Sequence, residues 1–171
     1  MADNPTDAID RVARIQQEWA RERPDVDVSP QGIIGRLHRV AASLTDELAV
    51  VFRAHGISAG EFDVLAALRR AGDPFERTPT ELAESTMITS GGLTKRVDRL
   101  EDAGLVQRRP SEHDGRARVV ALTEAGRVLV DEAFTRHMAN EHRLVGLLDE
   151  ADRDALERAL TNWMARLPDE A

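Results

Sequence analysis

The side chains that could do chemistry by type and spacing are hydroxyl and basic groups between positions 90 and 118. Most of them recur on one face of a predicted helix, opposite its apolar stripe, and the others belong to a predicted hairpin that follows. These outward-facing residues are Ser90, Thr94, Lys95, Arg99, Arg116 and Arg118. Hydroxyl, ammonium and guanidinium groups donate hydrogen bonds to phosphate oxygens and base edges. The pattern therefore indicates contacts to double-stranded DNA, without separating phosphate contacts from base contacts.

Two short helices are predicted to position these groups. The segment 78–81 predicts a helix start, because its threonine can cap, its proline suits the first helical position and its glutamate can bond back to the cap. A second helix carries Leu93, Val97 and Leu100 on its buried stripe and ends near Gly104. Two short helices joined tightly, the second with a basic outer face, are typical of a helix-turn-helix.

A β-hairpin is predicted directly after the second helix. Residues 105–109 form the first strand candidate, Pro110 ends it, and residues 118–122 form the return strand. The connector contains an Asp-Gly pair, which is a strong turn signal. A hairpin with arginines at its tip and root is a wing. The predicted fold class is therefore a winged helix-turn-helix, mainly α with a small β-hairpin.

Further helices are predicted on both sides of this domain. They span residues 5–23, 31–55 and 58–70 before it, then one helix from Thr123 through Leu148, a break at 149–152, and a last helix at 155–167. The expected organisation is an N-terminal extension helix and linker at 1–30, a DNA-binding domain at 58–122, and dimerisation helices at 31–57 and 123–171.

The flanking helices carry more apolar surface than one small winged domain can cover. Monomers rarely leave an extended apolar stripe in water. We therefore expect the terminal helices of two subunits to interdigitate in an isologous homodimer. A helical bundle contained within one chain is the alternative.

Composition narrows the class of protein further. The chain has 171 residues, 42% of them hydrophobic and 32% charged, and no cysteine, which excludes disulfides and thiol-based redox sensing. Net charge is −8, yet positions 86–120 hold seven basic against five acidic residues. A locally basic segment is sufficient for phosphate contacts. No apolar run reaches membrane-spanning length and no signal peptide is recognisable, so we expect a cytoplasmic location.

Neither an enzyme nor a metal site is predicted. The five histidines are scattered at His38, His55, His113, His137 and His142, and no nucleophile elbow, phosphate-binding loop or HExxH motif occurs. No cysteine is available to complete a soft metal site, so we expect no metal and no cofactor. A protein-interaction module that does not bind DNA remains an alternative, but it leaves the basic wing unexplained.

Several motifs together resemble the MarR family of bacterial transcriptional regulators. They are Thr80 to Ala83, Ser90 to Gly104, Asp114 to Arg116, and Leu122 to Gly126. The resemblance extends over most of the chain from Pro30 to Leu167. It implies a homodimeric repressor whose two recognition helices enter successive major grooves of a palindromic operator. The half-sites would lie about 34–36 Å apart.

The N-terminal segment 19–27 and the segment 61–70 resemble a narrower branch of that family, that of PecS, HucR and MftR. The resemblance implies an extra N-terminal helix and a response to urate. The residues that match the urate-site pattern of this branch are Trp19, Asp63, Arg96 and Arg108.

The side-chain chemistry of these four residues suits a small planar anion such as urate. An indole can stack on the ligand, and guanidinium groups supply directional, charge-assisted hydrogen bonds. Asp63 could hold an arginine in place until the ligand arrives. A ligand that bridges Arg96 and Arg108 would shift both the recognition helix and the wing. Carboxylates similar to aconitate or citrate and phenolic ligands remain alternatives, as does an ordinary packing role for Trp19.

Overall fold

The computed structural model describes residues 10–86, 90–111 and 118–168, with the side chains at positions 90 and 91 excepted. The chain divides into two compact units, Met1–Glu47 and Leu48–Ala171. The helices and strands are, in chain order, α1 Arg11–Glu22, α2 Gln31–Ala54, α3 Ala59–Arg70, β1 Glu76–Arg77, α4 Pro79–Glu84, α5 Ser90–Asp102, β2 Val106–Pro110, β3 Arg118–Leu122, α6 Glu124–Val145 and α7 Glu150–Met164.

The first unit contains α1 and the first part of α2. Asp10 caps α1 by accepting a hydrogen bond from the Ala13 amide, and its other carboxylate oxygen lies 2.7 Å from Nε of Arg36. Nε2 of Gln16 donates to the carbonyl of Val28 at 3.0 Å, which ties α1 to the linker before α2. The predicted helix at 5–23 is therefore confirmed from Arg11 onward, while its first turn falls outside the described residues.

The second unit is built around one apolar core. α3 lies at its centre, because Phe62 and all five residues from Val64 to Leu68 are buried. Leu82 of α4, the stripe of α5 formed by Leu93, Val97 and Leu100, and apolar residues of β2, β3 and α6 complete the core. The core thus joins the predicted helix-turn-helix and hairpin in one body.

The sheet has one strand more than the sequence predicted. The strand order is β1-β3-β2, and both pairings are antiparallel. β1 has only two residues, Glu76 and Arg77, which pair with Ala121 and Val120 of β3. β2 ends at Pro110, as predicted, but the proline itself belongs to the strand and pairs with Arg118. A proline is tolerated there because β2 is an edge strand.

The helix starts follow the cap signals in the sequence. Ser58 and Thr78 each form a capping box, with Glu61 and Glu81 respectively, and Thr123 caps α6. α5 ends at Asp102, with Gly104 just beyond it at a φ of 70°, a conformation that glycine adopts without strain.

The last two helices differ from the prediction in their boundaries. α6 ends at Val145 rather than near Leu148. α7 begins at Glu150, because Asp149 caps it by accepting from the Asp152 amide, so the predicted break at 149–152 already contains the first turn of the helix. Among the described residues, no helix is long and apolar enough to cross a membrane.

Candidate nucleic-acid interface

The recognition-helix candidate α5 has one buried stripe and one exposed face. Leu93, Val97 and Leu100 are no more than 6% exposed and anchor the helix on the core. Thr94 and Lys95 are exposed on the opposite side. The described helix therefore presents a hydroxyl and an ammonium group to solvent, as the sequence predicted. The side chain of Ser90, also proposed for DNA contact, lies outside the described residues.

Arg99, another proposed DNA contact, is half exposed and has a carboxylate partner. Its Nε lies 2.7 Å from Oε1 of Glu61, on the first turn of α3. Glu61 is more buried, with 13% of its side chain exposed. Burial favours the neutral form of Glu61, but hydrogen bonds from Ser58 and Arg99 outweigh it and hold the pKa of that carboxyl below its ordinary value.

Arg96 packs on the same turn of α3. A Cβ built at Gly60 would overlap the guanidinium group of Arg96, so the absence of a side chain there makes room for the arginine. Asp63 is partly exposed and lies three residues further along α3. Two of the four predicted ligand residues therefore lie at the N-terminal half of α3: Asp63 belongs to that helix, and Arg96 of α5 packs against it.

Arg108, on β2, is held by two carboxylates of α5. Its guanidinium group forms ion pairs with Asp98 and Glu101, and its backbone amide also donates to Oε1 of Glu101, at 2.8 Å. The amide and the guanidinium group together lower the pKa of Glu101. Burial lowers the pKa of Arg108, but its hydrogen bonds to both carboxylates outweigh burial and raise it. The root of the wing is therefore fastened to the recognition helix.

The rest of the wing is only partly described. Arg109 pairs with Glu76 of β1 across the middle strand, and Arg118 is exposed at the start of β3. Residues 112–117, which include the predicted DNA contact Arg116, lie outside the described part of the chain.

Trp19, the remaining predicted ligand residue, belongs to α1 in the first unit. Its side chain is 47% exposed, so within the described chain it is not a buried packing residue. The other three predicted ligand residues belong to the second unit.

Sequence reasoning missed the acids that hold the arginines. Glu61 and Glu76 precede their partners by more than thirty positions, so nothing in the local sequence identifies them. Asp98 and Glu101 carried a usable signal, because residues three apart share one side of a helix. No group of three or more histidine, aspartate or glutamate side chains in the described ranges could hold a metal ion.

The fold and the exposed hydroxyl and basic groups of α5 define a winged-helix DNA-binding protein. The sequence profile of the MarR family matches residues 55–117. The chain is 39% identical over 149 residues to the HTH-type transcriptional regulator PecS of Dickeya dadantii. This alignment covers 87% of this chain and 90% of PecS. The chain belongs to the MarR family of DNA-binding transcriptional regulators, which are not enzymes.

Solved structures agree with this family. AbsC, a MarR family transcriptional regulator from Streptomyces coelicolor, has a TM-score of 0.70 at 25% identity and covers 82% of this chain and 95% of its own. A mutant of MarR from Escherichia coli complexed with operator DNA has a TM-score of 0.67 at 28% identity, covering 84% of this chain and 100% of its own.

Proposed function

We propose that the protein is a homodimeric repressor that binds a palindromic operator and is released from it by a small anionic ligand such as urate or a related purine. Its place of action would be the cytoplasm, where bacterial DNA lies. The main support for a ligand response is that Arg108 forms ion pairs with Asp98 and Glu101 of α5. An anion bound by Arg108 would compete with these two carboxylates for its guanidinium group.

The proposed DNA surface consists of the exposed side of α5 and the wing. Thr94 and Lys95 lie on the exposed face of the helix, and Arg118 is exposed at the start of β3, where it pairs with Pro110. Ser90 and Arg116 extend this surface on the strength of their sequence positions. Arg99 lies at the edge of the same face, but its guanidinium group is bonded to Glu61 of α3.

The proposed dimer is supported by apolar side chains that the described chain leaves exposed. None of the residues of α7, 150–164, is buried, although Leu156, Leu160 and Trp163 share one side of the helix. α2 likewise exposes an apolar series that includes Ile33, Leu37 and Leu44. Exposed apolar surface of this extent is typical of an interface, and a second copy of the chain offers the matching surface.

The proposed release mechanism follows from the charges around Arg108. Two carboxylates of α5 hold the wing root, so wing and recognition helix move together while those bonds persist. A planar anion can accept bidentate hydrogen bonds from a guanidinium group in place of a carboxylate. Binding the anion would then free Asp98 and Glu101 and loosen the wing from the helix. Such a ligand binds the released arrangement better, as a change in DNA affinity requires.

DNA binding is tested by fluorescence anisotropy with a duplex that the wild-type chain has selected from a random pool. Lys95→Gln and Arg118→Gln should each weaken binding and reduce the slope of log K against log salt by about 1.8, because each removes one phosphate-contacting cation from both subunits of the bound dimer. Arg127→Gln is the matched control, since Arg127 pairs with Glu124 on α6, outside the proposed surface. An unchanged slope in both variants would exclude these residues from phosphate contact.

The ligand response is tested by titrating urate into the protein–DNA complex, in parallel with citrate and salicylate. Urate should release the wild type from DNA, whereas Arg108→Gln and Trp19→Phe should respond weakly. Release by citrate or salicylate but not by urate would replace the purine with a carboxylate or phenolic effector. If none of the three ligands changes DNA affinity, the proposed anion response is wrong, while DNA binding stands.

A further inference from the structure

The recognition helix is held along both edges of its buried stripe. Leu93, Val97 and Leu100 fix one side of α5 to the core. At 3.6 residues per turn, positions 96 and 99 flank this stripe on one side and positions 98 and 101 flank it on the other. Arg99 bonds to α3 on the first flank, and Asp98 and Glu101 bond to the wing root on the second. A helix held only by an apolar stripe can roll about it, and bonds on both flanks oppose that roll.

Glu61 is bonded in a way that leaves little freedom to the arginine it holds. Oε2 of Glu61 accepts from the amide and the hydroxyl of Ser58, both at 2.7 Å, as part of the capping box of α3. Oε1 accepts from Nε of Arg99, also at 2.7 Å. The carboxylate is thus fixed to the start of a helix whose following residues are buried in the core. It offers Arg99 a rigid partner.

We propose that Glu61 and Arg99 are positioning residues, which set the roll of the recognition helix on α3 and so prepare its exposed face for DNA. This proposal rests on the proposed DNA surface of α5. It assigns Arg99 a role through Glu61 rather than a phosphate contact, and it assigns Glu61 a role in DNA binding although it is an acid on a different helix.

The two roles for Arg99 predict opposite effects at Glu61. If Arg99 contacted phosphate, Glu61 would compete with DNA for it, and removing the negative charge of Glu61 would strengthen binding. If the pair positions α5, removing either partner weakens binding, because part of the binding free energy is then spent on restoring the roll of the helix. The sign of the effect at Glu61 therefore decides between them.

The test is a double-mutant cycle with Glu61→Gln, Arg99→Gln and both changes together, measured as DNA affinity over a series of salt concentrations. Glutamine at position 61 keeps the capping box of α3, since glutamine serves in that position as well as glutamate. The matched control is Asp131→Asn, which breaks the 2.8 Å ion pair between Arg69 of α3 and Asp131 of α6 in the same unit. Thermal unfolding of every variant monitors stability.

Each single variant should lose about threefold to tenfold in affinity, as expected for a partly exposed charge-assisted hydrogen bond. The double variant should lose little more than either single variant. The slope against log salt should stay that of the wild type, because the phosphate contacts in the complex are unchanged. Asp131→Asn should not weaken DNA binding.

Any of three results would overturn the positioning role. One is tighter binding by Glu61→Gln, and another is a slope reduced by about 1.8 in Arg99→Gln, which would make Arg99 a phosphate contact in both subunits of the dimer. The third is a loss of DNA affinity in Asp131→Asn equal to that in Glu61→Gln, which would mean that the Glu61–Arg99 pair affects binding only through the general stability of the unit. A wild type that selects no duplex from the pool would contradict DNA binding itself, which is a separate outcome.

Discussion

The arginines of the DNA-binding half differ in what holds them. Arg99 pairs with Glu61, Arg108 with Asp98 and Glu101, and Arg109 with Glu76. Three of the basic side chains that make this segment positive are therefore largely neutralised within the fold. The cations that remain for phosphate are fewer than the sequence suggests. Among the described basic residues outside these ion pairs, Lys95 and Arg118 are exposed. Salt dependence of DNA binding is accordingly expected to be moderate.

Arg96 packs so closely on Gly60 that adding a single methyl group at position 60 should displace the arginine. Gly60→Ala would place a Cβ within the space of the Arg96 guanidinium group and force that side chain to a new rotamer. If Arg96 binds the effector, the ligand concentration for half-maximal release from DNA should rise by about tenfold, equivalent to one lost charge-assisted hydrogen bond. The measurement is a urate titration of the protein–DNA complex.

The control for this change is Ala59→Ser, at the exposed neighbouring position on the same turn of α3. It should leave the titration unchanged. A Gly60→Ala protein that responds like the wild type would separate Arg96 from ligand binding.

For individual residues, the sequence indicated which side chains face outward but not which side chains they pair with. The outward face of α5 follows from the periodicity of Leu93, Val97 and Leu100, which the structure confirms as buried. Glu61 is 38 positions from Arg99, so only the packing of α3 on α5 brings the two together. Periodicity describes one element at a time, and ion pairs between elements depend on tertiary packing.

Helix caps determine where the elements of the DNA-binding unit begin. α4, the first helix of the helix-turn-helix, has only six residues and starts with the capping box of Thr78 and Glu81. A helix this short has little stability of its own, because nucleation is costly and few hydrogen bonds follow it. The cap is therefore a large part of what keeps α4 folded.

Removing the cap should be measurable in stability. Thr78→Ala eliminates the side-chain acceptor of the Glu81 amide and should lower the free energy of unfolding by about 1 kcal/mol. Urea unfolding followed by circular dichroism measures the loss. Thr80→Ala, an exposed change within the same helix, is the control and should cost far less. Equal losses at both positions would show that the capping box contributes no stability.

The same boxes make stability sensitive to acid. The Thr78 amide and hydroxyl lower the pKa of Glu81, and bonds from Ser58 and Arg99 outweigh burial to lower that of Glu61. A carboxyl whose folded pKa is depressed stabilises the fold above its unfolded value, and this stabilisation is lost as the pH falls through the folded pKa. The melting temperature should therefore decline as the pH drops below about 4.5, the ordinary value for glutamate.

A pH series of thermal unfolding curves tests this dependence. Glu81→Gln retains an acceptor for the cap but cannot titrate, so its melting temperature should change less with acid than that of the wild type. Glu84→Gln, an exposed change on the same helix, should follow the wild-type curve. Parallel curves for all three proteins would contradict the prediction.

Most elements were predictable because their signals are local. The caps at Ser58, Thr78 and Thr123 and the glycine after α5 all lie within four residues of the boundary they set. β1 was missed because two residues are too few to show alternation, and its existence depends on pairing with β3 far along the chain. α7 was placed too late because Asp149 and Glu150 resemble a break as much as a cap and first turn.

The exposed apolar side of α7 is the part of the molecule at which the proposed dimerisation can be tested. Leu160→Glu places a charge on the side shared by Leu156 and Trp163 and should convert the proposed dimer into a monomer that binds the duplex weakly. Arg158→Glu is the control, because position 158 lies on the opposite side of the same helix. Light scattering at micromolar concentration gives the mass, and anisotropy gives DNA affinity.

A wild-type chain that is monomeric at that concentration would contradict the dimer, as would a monomer that binds the palindrome as tightly as the wild type. The sequence indicated an excess of apolar surface, since the stripes of α2 and α7 exceed what one small domain covers. It could not indicate the geometry of association, because complementarity between copies depends on surfaces rather than on periodicity.

The exposure of α7 has a consequence for the cell that makes this protein. If the final helix gains its packing only from a second copy, then the abundance of the regulator sets how much of it is intact, through mass action. A drop in synthesis would reduce the active form more than proportionally, since two chains are needed for each. Expression level would then act as a control on the genes it governs, alongside any small molecule.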